Sequence, residues 1–304
     1  MKNKRMKTAE DWAVDITVYL SLIVVFLVTI YPFLNVLAIS LNDPLDTMRG
    51  GITIFPREYT LTTYQDLLSD SKIYSAAFVS LLRTVITTSL DLVLTIMIAY
   101  LLSRKEFVLR RSLNFLLVLT MYVSAGLVPS FLLMKELHLI GNFWVYVIPG
   151  LVSVFNIMIT RTYIESLPDS FVESARIDGA SEMTTMFRII TPLIIPVLAV
   201  VVIFSAINSW NSWFDTYLYG NGKKSMFTLQ YMLMQKLASV QVDFSSMNSG
   251  QLADKASKMG DSGVITPESV RAAMTMIVAL PIIIVYPIFQ RFFVSGMTLG
   301  GVKE

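Results

Sequence analysis

Few side chains in this sequence have the types and spacing that chemistry needs. It has no cysteine, which excludes disulfides, thiolate metal sites and cysteine nucleophiles. The one histidine, His138, cannot assemble a multi-histidine metal site and reads as a surface or interfacial residue. Asp91 is the one carboxylate deep inside an apolar run. An ionised group at that depth costs about 3 kcal/mol on insertion scales, so it must face protein, water or a partner. A hydrogen bond to another span is the favoured reading, because a proton relay would need a second carboxylate at that depth. Gly222-Lys223-Lys224-Ser225 has the look of a phosphate loop, but Tyr217 stands where that loop needs its first glycine. The chain is therefore expected to hold no metal or cofactor, to bind no ATP and to catalyse nothing.

What remains is binding chemistry. Asn208-Ser209-Trp210-Asn211-Ser212-Trp213 falls near the end of an apolar run. Aromatic rings cover the C–H face of a pyranose and amides bond its hydroxyls, so Asn208, Trp210, Asn211 and Trp213 are candidates for a substrate path. The same residues also suit an interfacial aromatic belt with polar caps. Asn156, and Tyr122 with Ser124, are weaker path candidates, since polar residues within spans equally bond between helices. Arg83 lies near a span end and is expected to snorkel outward.

The elements that carry these residues follow from composition. Of the 304 residues 54% are hydrophobic and 15% charged, against roughly 25% charged in soluble domains, and mean hydropathy is +0.63. A net charge of +2 is too small to point to nucleic acid. The class is an all-α polytopic membrane protein. Six runs can cross a core of about 30 Å: Ile16–Ser40, Arg83–Ser103, Leu113–Met134, Phe143–Thr160, Ile189–Phe214 and Ala272–Gln290. Hydrogen bonding in lipid makes each a helix. The first run is long, lacks a convincing cleavage site and is read as an uncleaved span.

Lys2, Lys4, Arg5 and Lys7 precede span one, Arg104, Lys105, Arg110 and Arg111 crowd the connection after span two, and Arg161, Arg176 and Arg188 follow span four. Basic residues gather on the cytoplasmic side, so both termini are expected there, in the cell membrane of a prokaryote. The chain reads as one transmembrane domain, 1–304, with a polar connection at 161–190, a long external loop at 215–269 and a tail at 294–304. Loops of that length are more often functional than passive.

The 161–190 connection is built like two short helices. Ser166 is the expected N-cap of the first, with Pro168 and Asp169 in its opening turn. Gly179 is placed to end it in the left-handed conformation, and Ser181 or Glu182 to start the next. Glu173-Ser174-Ala175, Gly179, Ile189 and Pro192 together resemble the Glu-Ala-Ala…Gly…Ile-x-Leu-Pro signature of binding-protein-dependent ABC importer permeases, with Ser174 and Thr191 as small departures. The run from Tyr286 to Glu304 is similar to the tail of maltose-type sugar permeases, and the likeness covers nearly the whole chain, nearest to the LplC and YtcP-type carbohydrate branch.

The resemblance implies a type I importer permease that translocates a carbohydrate, an oligosaccharide above all. Its partners would be a second, related permease, two ATPase subunits and an extracellular sugar-binding protein. A coupling helix containing Glu173, Ser174, Ala175, Asp178 and Gly179 would dock on an ATPase, and Gly296, Gly300 and Gly301 would let the tail reach between the ATPases. Two rivals are an ion-coupled secondary transporter, which needs coupling carboxylates in its spans, and an intramembrane enzyme, which needs a nucleophile and base at membrane depth.

Overall fold

The computed structural model describes the backbone of residues 9–245 and 266–299 and the side chains of 10–238 and 266–290. The architecture is helical, and the chain groups into two compact units, 1–69 with 236–277 and 70–235 with 278–304. Among the described residues, three helices are long and apolar enough to cross a membrane, and three further spans arise if each of three bent helix pairs counts as one.

In the first unit, α1 (Ala9–Ser40) has 32 residues, a length of about 48 Å that exceeds a bilayer core. Glu10 and Asp11 in its first turn complement the positive end of the helix, which starts earlier than the apolar run alone indicates. Its Val14, Tyr19, Phe26 and Val28 are exposed, as lipid-facing residues would be. The chain then turns around Asn42, which is fully buried. The Asn42 amide donates to Asp46 at 3.0 Å, and its carbonyl accepts from the backbone N–H groups of Arg57 and Glu58. Arg57 in turn donates to Asp46 at 2.9 Å, so a single side chain ties both arms of the loop together.

In the second unit, α2 (Ser71–Ser103) starts a dozen residues before the predicted span, because Asp70 caps it by accepting from Lys72 N–H. Hydropathy stops at Arg83, but the helix does not, and Arg83 lies about 18 Å inside it.

The third, fourth and fifth spans differ from the single helices expected. Span three divides into α3 (Arg110–Tyr122) and α4 (Leu127–Glu136), bent by 120°. Gly126 at the break has φ +83°, a backbone that an L-residue in a helix does not adopt. Span four opens with 3₁₀ turns over Phe143–Gly150, then bends by 43° into α5 (Val154–Glu165), capped by Ser153. Span five bends by 85° between Glu182–Leu193 and the later helix Ile195–Asn211. Pro192 and Pro196 each remove a ladder donor here. The turn before them widens to a π-helix over Thr185–Ile190, and the Thr191 hydroxyl donates to Met186 C=O at 2.8 Å.

Between spans four and five, α6 (Ser170–Ile177) is followed by α7 (Ile195–Asn211), then α8 (Leu229–Ser245) and α9 (Pro267–Leu299). The described part of the 215–269 segment carries helices at Phe214–Tyr219 and Leu229–Ser245. Helix α9 contains Pro281 and Pro287 and runs through Gly296, so the expected tail begins as helix; Gly300 and Gly301 lie outside the described residues. One core of the second unit packs Ile96, Tyr100 and Leu102 of α2 with Ile157 and Ile164 of α5, Val172 of α6, and Met186, Ile190 and Ile194 beside the bend.

Candidate functional site

The polar connection is built around α6. Ser166 does not start this helix. Its hydroxyl donates to Tyr163 C=O at 2.7 Å and its N–H to Thr162 and Tyr163, so it closes α5. Asp169 occupies the N-cap position instead, because the chain can turn into the helix only after Pro168. At the other end Gly179 has φ +73°, and Ala180 N–H reaches Ala175 C=O at 2.9 Å, closing a Schellman turn. No atom lies within 4 Å of where a Gly179 Cβ would be, so the glycine is required for conformation and not for space. Ser181 then caps the next helix by accepting from Thr184 N–H.

Helix α6 has two chemically distinct faces. Val172 is buried in the core that holds Met186 and Ile190, and Ala175 is buried on the same side of the helix. Glu173, Ser174 and Asp178 are exposed, and Ile177 is 85% exposed beside them. The Glu173 carboxylate makes no hydrogen bond or ion pair among the described residues. Arg176 has the opposite role: it donates to Glu106 at 2.8 Å and Glu182 at 3.2 Å, while Tyr100 O–H donates to Glu182 at 2.6 Å. The hydrogen bond from Arg176 holds Glu106 below its usual range, and the two carboxylates raise the Arg176 pKa. Both pairs are on the surface, where water screens them and they add little to stability. Their effect is positional, fixing α6 to the ends of α2 and of span five.

A polar cavity of about 860 Å³ lies within the second unit. Of the residues anticipated for a substrate path, Asn156, Asn208 and Asn211 line it. Trp210 does not. It is buried, its indole N–H donates to Val278 C=O at 3.0 Å, and its ring walls an apolar cleft with Pro281 and Tyr286. A helix turns about 100° per residue, which sends Trp210 away from its neighbour Asn211. Trp213 stacks edge-on with Phe214 at 5.6 Å, and Tyr122 is 85% exposed at the span-three break; neither is on the cavity wall.

The residues that dominate the cavity are ones that hydropathy obscures. Arg83 is buried, not snorkelled, and its guanidinium donates to the Asp215 carboxylate and to Ser212 C=O at 3.0 Å while covering the Tyr146 ring at 4.7 Å. Asp91 accepts from Asn156 at 3.1 Å, across to another span, and from Thr95 at 3.3 Å. Arg83, Thr87 and Asp91 recur every fourth residue, one face of one helix, and that spacing is the signal in the sequence that would have grouped them. Gly222-Lys223 forms a turn, with Gly222 at φ +67° and the Lys223 ammonium on Gly141 C=O at 2.9 Å.

Comparison with known proteins agrees with this architecture. Residues 76–299 match the family model described as binding-protein-dependent transport system inner membrane component. The chain is 31% identical to the polygalacturonan/rhamnogalacturonan transport system permease protein YtcP of Bacillus subtilis (strain 168), over 95% of this chain and 98% of that one. It is 32% identical to protein LplC of the same organism, over 91% and 90%. Among solved structures, a chain of a bacterial ABC transporter involved in the import of the acidic polysaccharide alginate superposes with a TM-score of 0.82 at 26% identity, covering 95% of this chain and 100% of that one. YtcP is named as a transport permease and the solved structure as an ABC transporter. A helical chain with broken apolar spans, a polar cavity and a two-faced helix between spans four and five thus belongs to the inner membrane components of binding-protein-dependent transport systems, with the type I permease fold of ABC importers.

Proposed function

We propose that this chain is the permease subunit of an ATP-driven importer that carries an oligosaccharide delivered by an extracellular binding protein. The carbohydrate class is supported by relatives named for polygalacturonan/rhamnogalacturonan and for arabinooligosaccharides. In this reading both termini and the 161–190 connection are cytoplasmic, and the chain pairs with a second permease and two ATPase subunits. The observation that carries the mechanism is the division of α6 into a face buried with Met186 and Ile190 and a face where the Glu173 carboxylate has no partner among the described residues. A cation in an ATPase groove would neutralise Glu173, while Ile177 adds apolar contact. Because Val172 is embedded beside the bend of span five, a pull on α6 would be transmitted to the helix bearing Asn208 and Asn211. ATP-driven closure of the ATPases would then open the cavity outward, and hydrolysis would reset it.

Co-purification from native membranes with an N-terminal tag, followed by mass spectrometry, tests the reading. A second permease and an ABC ATPase in stoichiometric amounts are the expected partners. A particle of this chain alone that transports solute would overturn it.

A further inference from the structure

The cavity's charge identifies the kind of glycan it accepts. Among the described residues Arg83 is the one cationic side chain on its wall, against the two carboxylates Asp91 and Asp215. That cation is already committed, with donors on Asp215 and Ser212 C=O and its plane over Tyr146. Its Nε–H is buried without a partner, and the whole side chain, with the second N–H on each terminal nitrogen, is only 4% exposed. The polar groups still free to bind are uncharged: Asn208 and Asn211 line the cavity without hydrogen-bond partners among the described residues, beside the rings of Phe155 and Phe204. Amides match hydroxyls and rings match C–H faces, but nothing here neutralises an anion, and an excess carboxylate repels one.

We infer that the Arg83–Asp215 pair makes this cavity selective for an uncharged glycan and excludes those bearing carboxylate, sulfate or phosphate. The inference rests on the carbohydrate-permease reading and departs from the carboxylate-bearing cargoes named for both YtcP and the alginate transporter.

Because the sequence has no cysteine, the cavity potential can be read directly. Ser205→Cys, and separately Asn208→Cys, place one thiol on the wall. The complex isolated with its native partner subunits is reacted with sulfonatoethyl, hydroxyethyl and trimethylammonioethyl methanethiosulfonates, with a complex lacking the engineered thiol as background. Relative to a free thiol in solution, the anionic reagent should react about tenfold more slowly than the neutral one. Adding Asp215→Asn, which releases Arg83, should remove most of that difference. An anionic reagent as fast as the neutral one, or a difference unmoved by Asp215→Asn, overturns the inference and leaves the carbohydrate reading standing. Failure of every reagent at both positions would mean the cavity is closed to water-borne solutes, which overturns the path itself.

Discussion

Arg83 and Asp215 stand 132 residues apart in the chain and meet as an ion pair on the cavity wall, the arginine almost fully buried and the aspartate at its edge. The pair joins α2 to the segment just after α7, so it holds together the two elements that carry the cavity's polar residues. Removing one partner strands the other. Arg83→Gln alone should lower stability by about 1–3 kcal/mol, and adding Asp215→Asn should recover part of that loss. Thermal unfolding of the purified protein checks both, and a double variant no better than the single would show the pair is not coupled.

Glu173 separates docking from folding. Its side chain makes no contact that folding needs, so Glu173→Lys should leave membrane insertion and unfolding temperature unchanged. ATPase co-purification and transport should be lost. Normal transport in this variant would remove Glu173 from the docking role.

Gly179→Ala tests the hinge. With nothing near the added methyl group, the cost is conformational, about 1–2 kcal/mol for a left-handed alanine. The expected result is a weaker ATPase complex with little change in total expression, read by quantitative co-purification.

Asp46 should give the loop at residues 41–61 a pH dependence. The hydrogen bond from Asn42, aided by Arg57 and opposed by burial, lowers its pKa from the ordinary 3.8. A lowered folded-state pKa means the contribution is complete above the ordinary value and is lost as pH falls through the folded one. Protease resistance of the loop should therefore fall below about pH 4 in the natural protein. In Asp46→Asn it should be lower at pH 7 and change less on acidification. Parallel profiles for the two proteins would discount the network.

Trp210 and Asn211 are neighbours with opposite assignments. Trp210→Phe should cost about 1 kcal/mol through the lost bond to Val278 and leave transport intact. Asn211→Ala should leave stability intact and reduce transport several-fold. The reverse pattern in transport assays would return Trp210 to the substrate path.

Much of this protein was legible in its residues. Sparse charge and long apolar runs establish a membrane class because a soluble core cannot hide that much apolar surface. A two-faced helix ending at Gly179 follows from local rules, since a left-handed C-cap is decided by a few adjacent residues. Tertiary structure alone decided which sides of the spans matter. In lipid both the packed and the exposed faces of a helix are apolar, so periodicity could not tell that Trp210 faces α9 while Asn211 faces the cavity. Nor could local sequence supply Arg83 with Asp215, because their pairing depends on how distant helices come together. The breaks at Gly126 and Ile194 belong to the same class: glycine and proline permit a bend, and only the surrounding packing determines that it reaches 120° in one span and 85° in another.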